Sequence, residues 1–279
     1  MYKLKLAMGN TVKRVLFVNS EIYPYLPETE IARIGRNLPQ GIQERKKEIR
    51  SFMPRYGCIN ERKNQLHEVI RLSGINIIIN DVDRPLVIKV ASMPSARMQV
   101  YFIDNEDYFH RKHTFTDDRG EYFEDNDERA VFFARGVLET VKKLRWVPDI
   151  IHCHGCISNI IPIYLKKAYI DDPIFSGSKV VTSFYDDIPP VDFRAGFKEI
   201  IKYGNISDAD LEVMEKEDGI NLAKLAARYS DGIILGNENI PEELTAFCAA
   251  EGKPVLPFKR SALEDGSYID DYNSFYDSF

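Results

Sequence analysis

Segment 152–156 holds two histidines and two cysteines, residue types that carry acid–base, metal and thiol chemistry. A short apolar run after Pro148 predicts that His152, Cys153 and His154 end a buried strand. Residues two apart in a strand share a face, so the histidines would point one way and Cys153 the other. At the carboxyl end of a parallel strand, such side chains can meet a ligand. The alternative is a pair of buried histidines hydrogen-bonded to the backbone.

The spacing Cys153-x-x-Cys156 also fits a metal or redox site. A structural zinc site usually needs a second pair of ligands, and Cys58 and Cys248 each stand alone in the sequence. We therefore expect no metal and no cofactor. The carboxylate pair 186–187 could do acid–base work, but two acidic residues in a loop are more often simply solvated.

The elements that would position these residues begin with a strand–helix–strand unit. Its strands are Arg14 to Ser20 and Glu48 to Met53, and both are short apolar runs. Between them, from Glu28, a helix is predicted by an apolar stripe at Ile31, Ile34, Leu38 and Ile42. Such a unit favours a right-handed crossover and a parallel sheet.

Strands and helices continue to alternate along the chain. Closely spaced strands at 69–72, 75–79, 86–91 and 99–103 predict a β-hairpin excursion at the sheet edge, followed by a long loop at 108–124. Later strands are predicted at 149–153, 179–183 and 232–235, and helices at 126–145, 158–169, 222–229 and 241–250. The pattern indicates an α/β protein with a Rossmann-like, doubly wound, mostly parallel sheet.

The bulk composition is that of an ordinary globular domain. The 279 residues carry a net charge of −6 without a long basic block, which argues against nucleic acid and anionic membranes as partners. No apolar run approaches the ~20 residues of a membrane span, residues 1–11 lack a signal-peptide pattern, and the cysteines do not form a disulfide framework. We expect a cytoplasmic protein with one domain at 12–258 and a disordered acidic, aromatic tail at 259–279.

Six segments, in order, resemble the bacterial glycogen and starch synthases of glycosyltransferase family 5. The first and third, SEIYPY and FMPRYG, are the most specific. The segments are Ser20–Tyr25, Leu38–Pro39, Phe52–Gly57, Asn126–Leu138, Pro148–His154 and Asn221–Asp231. The chain is most similar to a short, single-domain subgroup of that family with a Pro-Glu-Thr-Glu loop.

The resemblance implies the N-terminal half of a GT-B glycosyltransferase, which transfers glucose from ADP-glucose to an α-1,4-glucan in glycogen biosynthesis. It implies catalytic roles for His154 first and His152 second. It also implies substrate contacts within the two most specific segments, at Glu21, Tyr23, Tyr25 and Tyr56. Most donor contacts of the family lie in a second domain, so activity would require that domain or a protein partner that supplies it.

One loop departs from the family pattern. Where the family has a Lys-Thr-Gly-Gly loop for the diphosphate, this sequence reads Pro27, Glu28, Thr29 and Glu30. Proline removes a backbone donor, and two carboxylates at a helix start repel a diphosphate while stabilising the helix. We therefore expect a self-capped helix and a degenerate nucleotide loop that does not bind ADP-glucose in the family manner.

Three functions follow as alternatives: the enzyme, a non-catalytic glucan-binding or regulatory protein derived from it, and an interaction module that uses the tail 270–279. The loss of the Lys-Gly-Gly loop favours the second for this chain alone. Exposed aromatic rings could stack on glucan, but ordinary packing of a long loop is the favoured explanation. The rings in question are Tyr101, Tyr108, Phe109, Tyr122 and Phe123.

Overall fold

A mostly parallel sheet centred on one strand organises the protein. The computed structural model describes residues 13–93 and 96–279, so the predicted domain start at residue 12 lies outside the described residues. The strands are β1 (Arg14–Asn19), β2 (Glu48–Pro54), β3 (His67–Glu68), β4 (Ile75–Ile79), β5 (Val82–Ser92), β6 (Gln99–Asp104), β7 (Ile150–His154), β8 (Lys179–Phe184), β9 (Gly232–Leu235) and β10 (Val255–Leu256).

The α-helices lie mostly between these strands. They are α1 (Glu30–Glu44), α2 (Glu61–Asn64), α3 (Glu106–Phe109), α4 (Asn126–Leu144), α5 (Ile161–Ile163), α6 (Phe197–Ile201), α7 (Gly219–Tyr229), α8 (Glu242–Ala250), α9 (Arg260–Asp265) and α10 (Tyr268–Asp277). The helix predicted at 158–169 is broken into a 3-10 turn at Cys156–Ser158, α5 and a π-helix at Tyr164–Ala168.

The sheet order is β10-β9-β8-β7-β1-β2-β6-β5-β3, with β4 paired to β5. All neighbours from β10 to β6 are parallel, whereas the β5–β6, β3–β5 and β4–β5 pairs are antiparallel. The predicted doubly wound sheet with a hairpin excursion is therefore confirmed. The strand predicted at 69–72 is wrong, because that segment is a turn beyond the two-residue strand β3.

Helices cover both faces of the sheet. On one face α1 buries its predicted stripe of Ile31, Ile34, Leu38 and Ile42 against β1 and β7. On the other face α4 packs in the larger core, together with Cys153. Side chains alternate across a strand, so His152 and His154 of β7 lie on the α1 face and Cys153 on the α4 face, as predicted.

The C-terminal segment is folded, and the predicted disordered tail at 259–279 is wrong. Helices α9 and α10 pack on the same face as α1, with Tyr268, Tyr272 and Tyr276 buried against the sheet. Polar contacts hold α10 from outside as well: Lys47 Nζ donates to Asn273 Oδ1 over 2.7 Å. Since its aromatic side is covered, this segment does not offer those tyrosines to a partner.

Candidate active site at the carboxyl edge of the sheet

The histidine pair of β7 is enclosed within the protein. His152 bonds Ser183 Oγ over 2.6 Å and the Tyr276 hydroxyl over 2.8 Å. His154 bonds the Ile31 carbonyl oxygen over 3.1 Å and the Tyr185 hydroxyl over 3.0 Å. A carbonyl oxygen only accepts, so His154 carries its proton on Nε2 and accepts the Tyr185 hydroxyl at Nδ1.

Burial also sets the charge of this pair. It lowers the pKa of His154 to about 4 and that of His152 well below its usual value, so both rings are neutral at pH 7. Their side chains are at most 1% exposed. Both histidines are therefore buried and hydrogen-bonded, His154 to the backbone as in the alternative and His152 to side chains instead. The sugar-facing role of His154 and His152 remains a prediction that the buried rings do not favour.

The two cysteines of segment 152–156 do not converge. Cys153 lies in the α4-side core, where burial raises the pKa of its thiol. Cys156 lies beyond the end of β7, half-buried beside Asp187. Within residues 13–93 and 96–279, no group of three or more histidines, cysteines or carboxylates could hold a metal ion.

The rewritten loop does start a capped helix, but the cap differs in detail from the expectation. The Thr29 hydroxyl accepts the Ala32 N–H over 3.0 Å and donates to Glu21 Oε2 over 2.7 Å. Pro27 and Glu28 are exposed and precede this N-cap. The threonine, and not a glutamate, therefore satisfies the first turn of α1.

The carboxylate of Glu30 is paired with the C-terminal segment. Arg260 Nη1 lies 2.7 Å from Glu30 Oε2, and Arg260 Nη2 lies 2.9 Å from Glu238 Oε1. The N-terminal, positive end of the α1 dipole thus lies beside the Glu30 carboxylate. The Arg260 guanidinium next to it already pairs with both Glu30 and Glu238. This arrangement leaves little positive charge for a diphosphate.

A cavity of about 370 Å³ opens beside this loop, at the carboxyl edge of the sheet. Glu21 lines it, and burial raises the pKa of that carboxyl. Tyr25 also lines it, only 5% exposed, with a hydroxyl that has no hydrogen-bond partner among the described residues. The remaining lining residues are Leu26, Pro27, Thr29, Cys58, Lys112, His113, Thr114 and Thr116. We call this the Glu21 cavity.

The other two predicted substrate-binding residues lie at different depths. Tyr23 is exposed at the surface of the loop after β1. Tyr56 is fully buried against Phe109 and Phe115, and its hydroxyl has no hydrogen-bond partner in the part of the chain that the structure describes. The structure thus brings Glu21 and Tyr25 together at one cavity, leaves Tyr56 beneath the surface and leaves Tyr23 outside.

Asp187 is a candidate site residue, although the sequence predicts a solvated pair of acidic residues at 186–187. Its Oδ2 accepts the Cys156 N–H over 2.7 Å, and burial raises the pKa of its carboxyl to about 6. The negative charge of Glu21 contributes to that rise, which places the two carboxyls within electrostatic range of each other. Gly155 has φ +88°, and a Cβ there would collide with Ser20 and Asp187, so only glycine fits this turn. The feature of the sequence that could have identified Asp187 as a site residue is its position just after strand β8.

The fold matches a solved structure. The catalytic domain of starch synthase IV from Arabidopsis thaliana, bound to ADP and acarbose, superposes with a TM-score of 0.72 at 13% identity, over 89% of this chain and 51% of that one. The fold is therefore that of one half of a GT-B glycosyltransferase.

Sequence comparison identifies the family. The starch synthase catalytic domain family matches residues 14–253, and the chain belongs to that family. Glycogen synthase of Chlorobaculum tepidum is 38% identical over 234 residues, which are 83% of this chain and 47% of that protein. Glycogen synthase of Chlorobium luteolum is 41% identical over 174 residues, or 62% and 36%. The chain spans about half the length, or less, of the curated relatives it matches.

Among the described residues, no helix has the length and apolar character needed to cross a membrane.

Proposed function

We propose that this chain provides the acceptor side of a cytoplasmic glucosyltransferase that extends an α-1,4-glucan with glucose from ADP-glucose. The observation that carries the proposal is the Glu21 cavity at the carboxyl edge of a starch synthase fold. It has the size of a small-ligand site and brings several polar groups to one point. Donor contacts would come from the second half of the synthase, in the same chain or a partner protein. Nucleic acid is not a proposed ligand.

The lining of the Glu21 cavity suits a sugar better than a nucleotide diphosphate. The unpaired Tyr25 hydroxyl and the Glu21 carboxylate can bond sugar hydroxyls, and an unpaired buried hydroxyl gains free energy when a ligand satisfies it. Lys112, the cation of the lining, is already held by Asp118 over 2.6 Å. A neutral, hydroxyl-rich ligand therefore fits these groups.

The carboxyl of Asp187 adds an acid–base group near the cavity. With a pKa of about 6, it can hold or release a proton close to neutral pH. In this proposal Glu21 and Asp187 orient the acceptor hydroxyl, and the Pro27–Glu30 loop does not bind the diphosphate of the donor. Binding of acarbose and ADP by the Arabidopsis domain supports glucan and ADP-sugar as the substrate classes.

A non-catalytic glucan-binding role is the second candidate function. The family resemblance assigns donor binding to the loop at Glu30 and catalysis to His152 and His154. In this chain Glu30 is paired with Arg260 and both histidines are enclosed, which favours a role without catalysis. This candidate keeps the Glu21 cavity as a glucan site and removes only the transfer step.

Glycogen-affinity electrophoresis tests the common part of both candidates. We expect glycogen in the gel to retard the wild-type chain, and Glu21→Gln to weaken that retention several-fold. The matched control is Glu68→Gln, an exposed carboxylate on the edge strand β3, which should behave as wild type. A wild-type chain that glycogen does not retard would overturn the proposal.

Transfer from labelled ADP-glucose separates the two candidates. The chain is assayed alone and with the second half of the Chlorobaculum tepidum glycogen synthase. Incorporation that appears only with the second half supports the acceptor-side role. Retention on glycogen without incorporation in either mixture supports the non-catalytic role. Incorporation by the chain alone would contradict the division of labour proposed here.

A further inference from the structure

A second cleft, of about 370 Å³, lies at the same edge of the sheet as the Glu21 cavity. Aromatic and polar side chains form its walls: Tyr122, Phe123, Asn126, Pro189, Phe193 and Arg194. The three aromatic rings are half-buried, so each is anchored on one side and accessible on the other. We call this cleft the aromatic groove.

One wall of the groove is a rigid hairpin loop. Thr116 and Tyr122 form an antiparallel bridge, and the Phe123 N–H donates to the Phe115 carbonyl over 3.0 Å. The Arg111 guanidinium lies 4.5 Å from the centre of the Phe123 ring and makes a two-pronged ion pair with Asp125. A wall fixed in this way loses little conformational entropy when a ligand binds.

The opposite wall is fixed by packing and by charge. The Phe193 ring packs on Phe197 with centroids 4.6 Å apart. Arg194 donates to Asp127 over 2.6 and 3.0 Å and to Glu128 over 2.8 Å. Both walls therefore present flat rings in set positions, with polar groups beside them.

The charges of the groove exclude an anionic ligand. Its cation, Arg194, is shared by two carboxylates, and Glu124 adds negative charge to the lining, whereas Asp192 is paired with Lys216 over 2.7 Å. A phosphate or nucleotide would meet net negative potential there. Flat apolar faces beside an amide and carboxylates instead match a neutral sugar, which has apolar faces and a rim of hydroxyls.

The groove and the Glu21 cavity share a wall. Thr116 lines the cavity and Tyr122 lines the groove, and these residues face each other across the hairpin bridge. Burial, and to a smaller extent the carboxylate of Asp187, raises the pKa of the Tyr122 hydroxyl, so this hydroxyl lies within electrostatic range of Asp187. One polymer could therefore contact both clefts across this hairpin.

We propose that the aromatic groove binds the body of an α-1,4-glucan whose chain end occupies the Glu21 cavity. This inference rests on the proposed function and adds that long glucans bind better than short ones because of Phe193 and Tyr122. The groove thus sets acceptor-length preference, and the Glu21 cavity selects the chain end.

The test compares maltoheptaose with maltotriose by isothermal titration calorimetry. We expect Phe193→Ala and Tyr122→Ala to weaken maltoheptaose binding roughly tenfold, as for truncation of an aromatic anchor, with little effect on maltotriose. Tyr122→Phe keeps the ring and should stay close to wild type. Tyr203→Ala, which removes a half-exposed ring packed on Tyr164, is the matched control and should leave both sugars unaffected.

The outcomes separate this inference from the proposed function. If wild type binds maltoheptaose tightly and both alanine variants equal it, the groove assignment is wrong and the proposed function survives. If wild type binds neither sugar, the proposed function fails. Should Phe193→Ala not fold by circular dichroism, Phe193→Leu keeps apolar volume without the flat ring and should show the same selective loss; a Leu variant that binds maltoheptaose like wild type counts against the groove.

Discussion

Removing one hydroxyl should reveal how firmly the C-terminal helix encloses the histidine face. In Tyr276→Phe the ring stays in place, so no large cavity forms, but the 2.8 Å hydrogen bond to His152 Nδ1 is lost. Both side chains are 0% exposed, so water cannot replace the lost partner. Loss of a buried hydrogen bond that leaves one group unsatisfied costs about 1–3 kcal/mol.

The magnitude is measured by urea unfolding monitored by circular dichroism at pH 7. We expect Tyr276→Phe to lower the free energy of unfolding by about 2 kcal/mol with an unchanged m-value. Tyr268→Phe, on the same helix face but at its more open end, is the control and should change stability by less than about 0.5 kcal/mol.

The refuting result is equally definite. If Tyr276→Phe is as stable as wild type but binds or transfers glucan differently, then α10 does not enclose His152 in solution. In that case His152 and His154 regain the sugar-facing role that the family resemblance implies. Equal effects of the two Tyr→Phe variants would likewise contradict a specific bond to His152.

Three further outcomes are expected. Stability should fall as pH falls from about 6.5 towards 4, because the pKa of His154 is about 4 in the folded chain and about 6.5 when unfolded. The contribution of neutral His154 to the free energy of unfolding is therefore fully present above about pH 6.5, and about 3 kcal/mol is lost when the pH falls through the folded-state pKa. Asp187, whose pKa is raised to about 6, has the opposite effect on stability over this pH range. The test is therefore a comparison of His154→Gln with wild type by urea unfolding at pH 7 and pH 5, in which the variant should lose less stability than wild type. An equal loss in the two proteins would contradict the assignment to His154. Arg260→Ala should leave the urea midpoint of unfolding close to wild type, because its pairs with Glu30 and Glu238 are solvent-exposed and screened; a large drop in the midpoint would mean a buried role. Calorimetric titration with ADP-glucose should give no saturable binding to the isolated chain, and tight binding that Glu30→Ala abolishes would show that the loop holds the donor.

Local patterns were enough to predict the central elements. The apolar stripe of α1, at Ile31 to Ile42, follows helical spacing, and the apolar runs around residues 14–20 and 150–154 are too short for a helix and predict buried strands. The hairpin excursion followed from the close spacing of β4, β5 and β6. These features depend on residues that are near each other in the sequence.

The C-terminal helices were missed because their stabilising contacts are distant in sequence. Tyr268, Tyr272 and Tyr276 recur every four residues, which is helical spacing, but acidic and serine residues surround them. Their burial depends on β1, α1 and β7, and both β1 and α1 lie more than 200 residues earlier in the chain. The four-residue spacing of the tyrosines was the signal that could have identified α10.

The site was predictable only in part for the same reason. The resemblance located Glu21 and Tyr25, but no pattern shows that the Tyr25 hydroxyl lacks a partner or that Asp187, and not Asp186, turns towards Cys156. The enclosure of His152 required Tyr276, which is 124 residues away. Such pairings are properties of the packed structure.

Hydrogen–deuterium exchange with and without maltoheptaose locates the ligand on the chain and so decides where this protein binds glucan. We expect slower amide exchange in the loop after β1 at 20–29, in the hairpin at 111–126 and in the segment 187–194. Segments 150–154 and 268–277 should not change. Protection confined to those two segments, or protection of 27–30 by ADP-glucose but not by maltoheptaose, would contradict a glucan site at the carboxyl edge of the sheet.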